Sequence, residues 1–183
     1  MVAMKLATIA VLATVAVAAP ATTATTTTEA KPFSFSQWVD DIINPDVVAL
    51  TPEQAVEAYY QSINATTSTH DGTVKAKRVE KHCFNDDLGW RADVDAAVKC
   101  VNEVAALGSS VRYTVKPGVE VCRDIPGVKI KVDPGYPDTW EVTAQQLAIA
   151  GGHIMDACTW GGRTGGMIFE EWNRWMEIDL RSK

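Results

Sequence analysis

The sequence predicts an α+β fold, a two-layer α/β sandwich with two helices on one face of an antiparallel sheet in the order β-α-β-β-α-β. Two disulfides staple it, and a short helical pair precedes it. Three observations carry this reading. Two stretches with helical periodicity, 90–107 and 139–158, each hold one cysteine. Short β-like runs lie around them, such as Val128, Ile130 and Val132 alternating with Lys129 and Lys131. The four cysteines, Cys83, Cys100, Cys122 and Cys158, form an even set behind an export signal.

Residues 1–18 read as a signal peptide. Lys5 supplies the positive start, Leu6 to Val17 is an apolar run broken by Thr8 and Thr14, and Ala16-Val17-Ala18 offers the small residues a signal peptidase reads. The run is short of the roughly 20 residues a membrane span needs. The expected location is extracellular. Residues 19–32 form a threonine-rich leader with nothing to pack, expected to be disordered. Residues 33–73 hold the helical pair and a linker. The first helix follows Ser36, carries Trp38, Val39, Ile42 and Ile43 on one side, and ends at Asn44-Pro45. The second starts with Thr51 as N-cap, Pro52 at the first helical position and Gln54 three residues after the cap. Asn64-Ala65-Thr66 at its end is an N-glycosylation sequon, which makes Asn64 a surface modification site.

The stapled domain is expected over 74–183. A strand near Val79 to Phe84 contains Cys83. Asp87 then caps a helix from Trp90 to Leu107, closed by Gly108, whose buried face includes Trp90, Val94, Ala97, Val98 and Val101. Strands follow at Val111 to Val115, Val119 to Ile125 and Val128 to Val132, with turns at Pro117-Gly118 and Pro126-Gly127. The second long helix begins at Thr139 and runs to Cys158. Its Gly151-Gly152 costs about 1 kcal/mol of helix propensity per glycine, which a close approach to another backbone offsets. Gly161 to Gly166 reads as a flexible loop before a last strand, Trp172 to Leu180. The preferred pairing is Cys83–Cys122 with Cys100–Cys158; Cys83–Cys158 with Cys100–Cys122 is the alternative.

The whole chain has a formal net charge of −6. Removing the signal takes away Lys5 and leaves −7, which disfavours nucleic acid and anionic lipid as partners. No run is long and apolar enough for stable membrane insertion, and a monomer is expected. No two cysteines have zinc-knuckle spacing, so no metal site and no cofactor are expected.

No residue set amounts to a catalytic motif. His153 and Asp156 are three apart on a helix, the spacing of an ordinary surface pair. His82 beside Cys83 suggests a dyad, but strand neighbours point to opposite faces and a disulfide removes the thiol. Asp86-Asp87, Glu170-Glu171, Glu177 and Asp179 supply carboxylates without a spacing that singles out two. The candidate binding residues are Trp160, Trp172 and Trp175, which flank the last loop and strand, together with Arg163 inside that loop. Arg163 among glycines suggests an anion loop, but the Lys-Ser/Thr ending of a phosphate loop is missing.

Several stretches carry a resemblance. They are Val94-Asp95-Ala96-Ala97-Val98-Lys99-Cys100-Val101, Val121-Cys122-Arg123, Ala148-Ile149-Ala150-Gly151-Gly152-His153-Ile154-Met155-Asp156-Ala157-Cys158 and the glycine-rich loop before a terminal strand. Together with Trp38 to Ile43 and Leu50 to Ala55, they look like small secreted fungal proteins of the effector type. More distantly the chain is similar to the virally encoded killer toxins of smut fungi and to necrosis-inducing extracellular effectors. The resemblance implies secretion, a compact α/β sandwich and action by binding a host or competitor surface component. It carries over no catalytic residue. The killer toxins are basic and richer in cysteine, so the acidic charge here argues against channel blocking. The alternative expectation is a cell-wall glycan-binding module or weak wall-directed hydrolase.

Overall fold

The computed structural model describes residues 32–65, 80–84, 88–134, 140–170 and 176–183. The expected signal peptide, almost all of the leader, the linker at 66–79, and Trp172 and Trp175 lie outside the described residues.

Helices α1 (Phe35–Ile43) and α2 (Pro52–Ala65) form the N-terminal pair. Ser34 caps α1 by accepting from the Gln37 N–H. Thr51 and Gln54 make reciprocal bonds at the start of α2, the capping box expected from their spacing. Strands β1 (Glu80–Cys83) and β2 (Ala92–Asp93) flank a 3-10 turn, Leu88–Trp90. Helix α3 (Val94–Ala106) follows, then β3 (Arg112–Val115), β4 (Val119–Val121), β5 (Lys129–Pro134) and β6 (Trp140–Thr143). Helix α4 (Ala144–Cys158) runs into β7 (Thr159–Trp160), β8 (Arg163–Thr164), β9 (Gly166–Glu170) and β10 (Met176–Arg181).

The main sheet is antiparallel, with strand order β1-β9-β10-β5-β4. The expected β-α-β-β-α-β skeleton is present in it as β1, α3, β4, β5, α4 and β10, with β9 inserted between β1 and β10. Strand periodicity sorts the faces. Ile130, Val132, Ile168, Ile178 and Leu180 are fully buried, each contributing about 1.5–3 kcal/mol by leaving water. The other face carries ion pairs, Glu120–Lys129 at 2.7 Å, Lys131–Asp133 and Asp179–Arg181 at 3.3 Å.

Gly151 and Gly152 explain how the helices stack. A Cβ on Gly151 would sit 2.8 Å from a Val101 methyl of α3, with Ile130 and Leu180 of the sheet next. A Cβ on Gly152 would sit 3.0 Å from the Ser36 Cα and 3.2 Å from the Phe35 carbonyl. The expected close backbone approach is therefore that of α1, which buries Phe35, Trp38 and Val39 against the helical layer.

The disulfides are Cys83–Cys158 and Cys100–Cys122, with Cα separations of 5.2 and 5.5 Å. This corrects the preferred pairing of Cys83 with Cys122 and Cys100 with Cys158. The reason is sheet order. Strands β1 and β4 are the two edges, four inter-strand spacings apart, about 19 Å. A disulfide reaches only about 7 Å between Cα atoms. The observed bridges span 75 and 22 residues, worth about 4 and about 3 kcal/mol in the chain-entropy model.

Element boundaries also differ from expectation: α1 starts at Phe35 with Ser34 as its cap, not after Ser36, and Trp90, expected on the buried face of the first long helix, precedes it and is exposed. Helix α3 begins at Val94 with Asp93 as N-cap, not after Asp87, because the stretch before it joins a second small sheet. Residues 140–143 pair with β3 instead of opening α4, and a Thr143–Gln146 capping box marks the true start. Strand β4 stops at Val121, since Cys122 adopts a left-handed φ of 61°.

Candidate functional site

The segment expected as a flexible loop is a hairpin. Gly161 and Gly162 have φ of 58° and 72°, the pair of positive values that a type I′ turn requires. Two turn residues set the register, so Trp160 pairs with Arg163 and Thr159 with Thr164. On its other edge β8 pairs with β2, Asp93 opposite Arg163 and Ala92 opposite Thr164. Paired residues project to one side of a sheet. Asp93, Arg163 and Trp160 therefore form a row across three strands. Ala92 and Thr164 project the other way and are fully buried.

Arg91 sits beneath this row. Only 1% of it is exposed. Its guanidinium carbon lies 3.4 Å from the centre of the Trp160 ring. One terminal nitrogen donates to the Trp160 carbonyl at 2.7 Å and to the Arg163 carbonyl. Arg163 reciprocates, donating to the Arg91 carbonyl at 2.5 Å, while its Nε stands 3.6 Å from an Asp93 carboxylate oxygen. Carbonyl oxygens and an indole thus surround the buried charge. Burial first, and the like charge of Arg163 second, pull the Arg91 pKa below the usual arginine range; a guanidinium remains protonated there.

Helix α2 closes one side. Tyr59 is buried, and burial and Tyr60 push its pKa up while Arg91 opposes them. The Tyr60 hydroxyl lies over the turn, 3.2 Å from where a Gly162 Cβ would be. The surface that results presents Trp160 at 37% exposure, Tyr60, half-open Arg163 and the Asp93 carboxylate at 74%. The exposed charges of Arg163 and Asp93 cancel, and the excess positive charge is that of buried Arg91, in a chain of −6. A second indole–guanidinium contact lies next in sequence: Arg181 is 4.8 Å from the Trp90 ring, and Phe84 meets that ring edge-on at 5.8 Å.

Of the candidate binding residues, Trp160 and Arg163 come together; Trp172 and Trp175 are outside the described residues. Asn64 is exposed on the last turn of α2, one helical turn beyond Tyr60. The His153–Asp156 pair has a different use. Asp156 accepts from the Phe35 N–H at 2.6 Å, the Ser36 N–H at 3.1 Å, and the hydroxyls of Ser36 and Ser34 at 2.5 and 2.9 Å. It caps the N-terminus of α1 from α4, where the helix dipole favours a carboxylate. Cys83 is in a disulfide, and His82 meets Phe169 edge-on. Asp179 is buried beside Arg181. Asp86 and Asp87 lie outside the described residues. Among the described residues, no group of three His, Cys, Asp or Glu is placed to hold a metal, and no helix is long and apolar enough to cross a membrane.

Sequence reasoning missed Arg91, Asp93 and Tyr60. The available signal was the Gly161-Gly162 pair between two short polar-aromatic runs, which marks a two-residue hairpin. With that register, Trp160 and Arg163 become cross-strand partners. No family model, curated protein or solved structure matches the chain.

Proposed function

We propose that this chain is a secreted, non-enzymatic binding protein of the effector or toxin type. It engages a host or competitor surface component through the row Asp93, Arg163 and Trp160, with Tyr60 at its edge. The observation that carries this reading is Trp160, an indole left 37% exposed while a buried guanidinium fixes it from below. An aromatic ring immobilised before contact loses little side-chain entropy on binding. Both disulfides, with no membrane-spanning helix among the described residues, fit the extracellular medium in which disulfides persist. Asn64 is exposed and carries a glycan in this reading.

The test uses purified full chain on isolated host and microbial cell surfaces. Saturable retention that falls with Trp160→Ala, with no release of reducing sugar or peptide, is the expected result. Turnover of any wall polymer would instead favour the hydrolase alternative. Retention unaffected by Trp160→Ala would remove this surface from the account.

A further inference from the structure

The row has an asymmetry that identifies a ligand class. An isolated indole presents a negative face and repels an anion placed over that face. In Trp160 the Arg91 guanidinium lies 3.4 Å from the ring centre, and this fixed cation offsets the repulsion. Arg91 is almost fully buried and covers one face of Trp160, so the 37% of Trp160 that is exposed leaves the other face for a ligand in this proposal. The neighbour directly across the turn is Arg163, whose side chain is 37% exposed. A planar fork of donors is suited to a carboxylate. At the far end of the row Asp93, 74% exposed, stands 3.6 Å from the Arg163 Nε. Its negative charge opposes an incoming carboxylate at the same guanidinium.

We propose that this row binds an acidic glycan, a polymer of uronic acid residues. The inference rests on the binding function proposed above and names its ligand. One sugar ring stacks on the open side of Trp160. Its carboxylate takes the open part of the Arg163 guanidinium, since the Nε that Asp93 approaches is buried and one terminal nitrogen is held by the Arg91 carbonyl. The row crosses two inter-strand spacings, about 10 Å, which accommodates a short oligosaccharide. A sugar ring supplies a flat face and a fixed carboxylate together, whereas an acidic peptide supplies only the second.

The test is calorimetry of the full chain with oligogalacturonate, with the same oligomer methyl-esterified, and with neutral glucan and chitin oligomers. Esterification keeps the ring faces and removes the charge. Binding to the acid is expected to exceed binding to the ester by about tenfold or more, as for loss of a charged hydrogen bond. Arg163→Gln is expected to erase that preference. Asp93→Asn works in the opposite direction and is the safer variant, because the Asp93 side chain makes no capping hydrogen bond to α3 and Asn is an equally good N-cap residue. It is expected to strengthen acid binding and so to raise the ratio of acid to ester affinity. Equal affinity for acid and ester, or weaker acid binding by Asp93→Asn, would overturn the proposal. Surface retention that depends on Trp160, without affinity for any acidic glycan, would overturn the ligand class and leave the binding function standing. Loss of both would remove both.

Discussion

Two polar centres tie this molecule together, and they are opposite in kind. Asp156 is a carboxylate that receives four donors from the start of α1. Arg91 is a guanidinium wrapped by the carbonyls of Trp160 and Arg163 and by the Trp160 ring. The first is a cap at the surface, in which the helix N-terminus meets the charge that suits it and all four donors are spent on one carboxylate. The second lies directly under an exposed row, so its charge reaches through the indole to the surface. A polar centre that is satisfied from one element to another holds elements together. One held by backbone carbonyls and an aromatic ring, with its buried Nε left unbonded, also tunes whatever lies on the far side of the ring.

The largest effect that would sharpen this contrast comes from Arg91→Leu. Two buried carbonyl oxygens lose a charged donor and the Trp160 ring loses its support. Stability is expected to fall by about 3–4 kcal/mol, read as a lower urea midpoint, and surface retention falls with it. Asp156→Ala removes the tertiary cap and leaves serine hydroxyls and two N–H groups to water. The expected loss is about 2–3 kcal/mol in the same urea titration. Retention of the folded fraction should be unchanged, because Asp156 and its four donors make no hydrogen bond to Arg91, Trp160 or Arg163. Equal effects on retention from both variants would break the distinction.

A smaller effect belongs to the charged face of the main sheet. The Lys129 hydrogen bond is the largest influence on Glu120 and holds its pKa below the usual carboxylate range, against some burial. For Asp133, burial raises the pKa, but the Lys131 bond and the Gly118 N–H outweigh it and the net direction is down. A folded pKa below the unfolded one adds stability at pH above the unfolded value, and that stability disappears as pH falls through the folded value. Acid should therefore weaken the fold progressively below about pH 4. The double variant Glu120→Gln with Asp133→Asn is expected to flatten that decline by less than about 1 kcal/mol, measured as stability against pH. An unchanged acid profile would place the sensitivity elsewhere.

Much of the fold was legible because its signals are local. The Thr51–Gln54 box, the alternation from Val128 to Val132 and the demand of Gly151-Gly152 for a close neighbour all depend on residues near in sequence. The disulfide pairing was not legible. It depends on β9 entering the sheet beside β1 and putting Cys83 at the edge opposite β4, a non-local fact that cysteine spacing does not contain. The candidate site was half legible. Trp160 and Arg163 stood out by residue type, but reading Gly161-Gly162 as a loop hid that they are cross-strand partners. Arg91 gave no sign, because an arginine at the presumed start of a helix looks like a solvated side chain. Only the pairing of β2 with β8 brings its neighbour Asp93 opposite Arg163 and draws it under the indole.

The central claim is that the hairpin row is the surface this protein uses. The most direct measurement is retention of wild-type and Arg163→Gln protein on isolated plant and microbial cell walls, at matched folded fraction by near-UV circular dichroism. The account predicts that the variant stays folded and that its half-saturation concentration rises by about tenfold. Identical retention curves for the two proteins would contradict it.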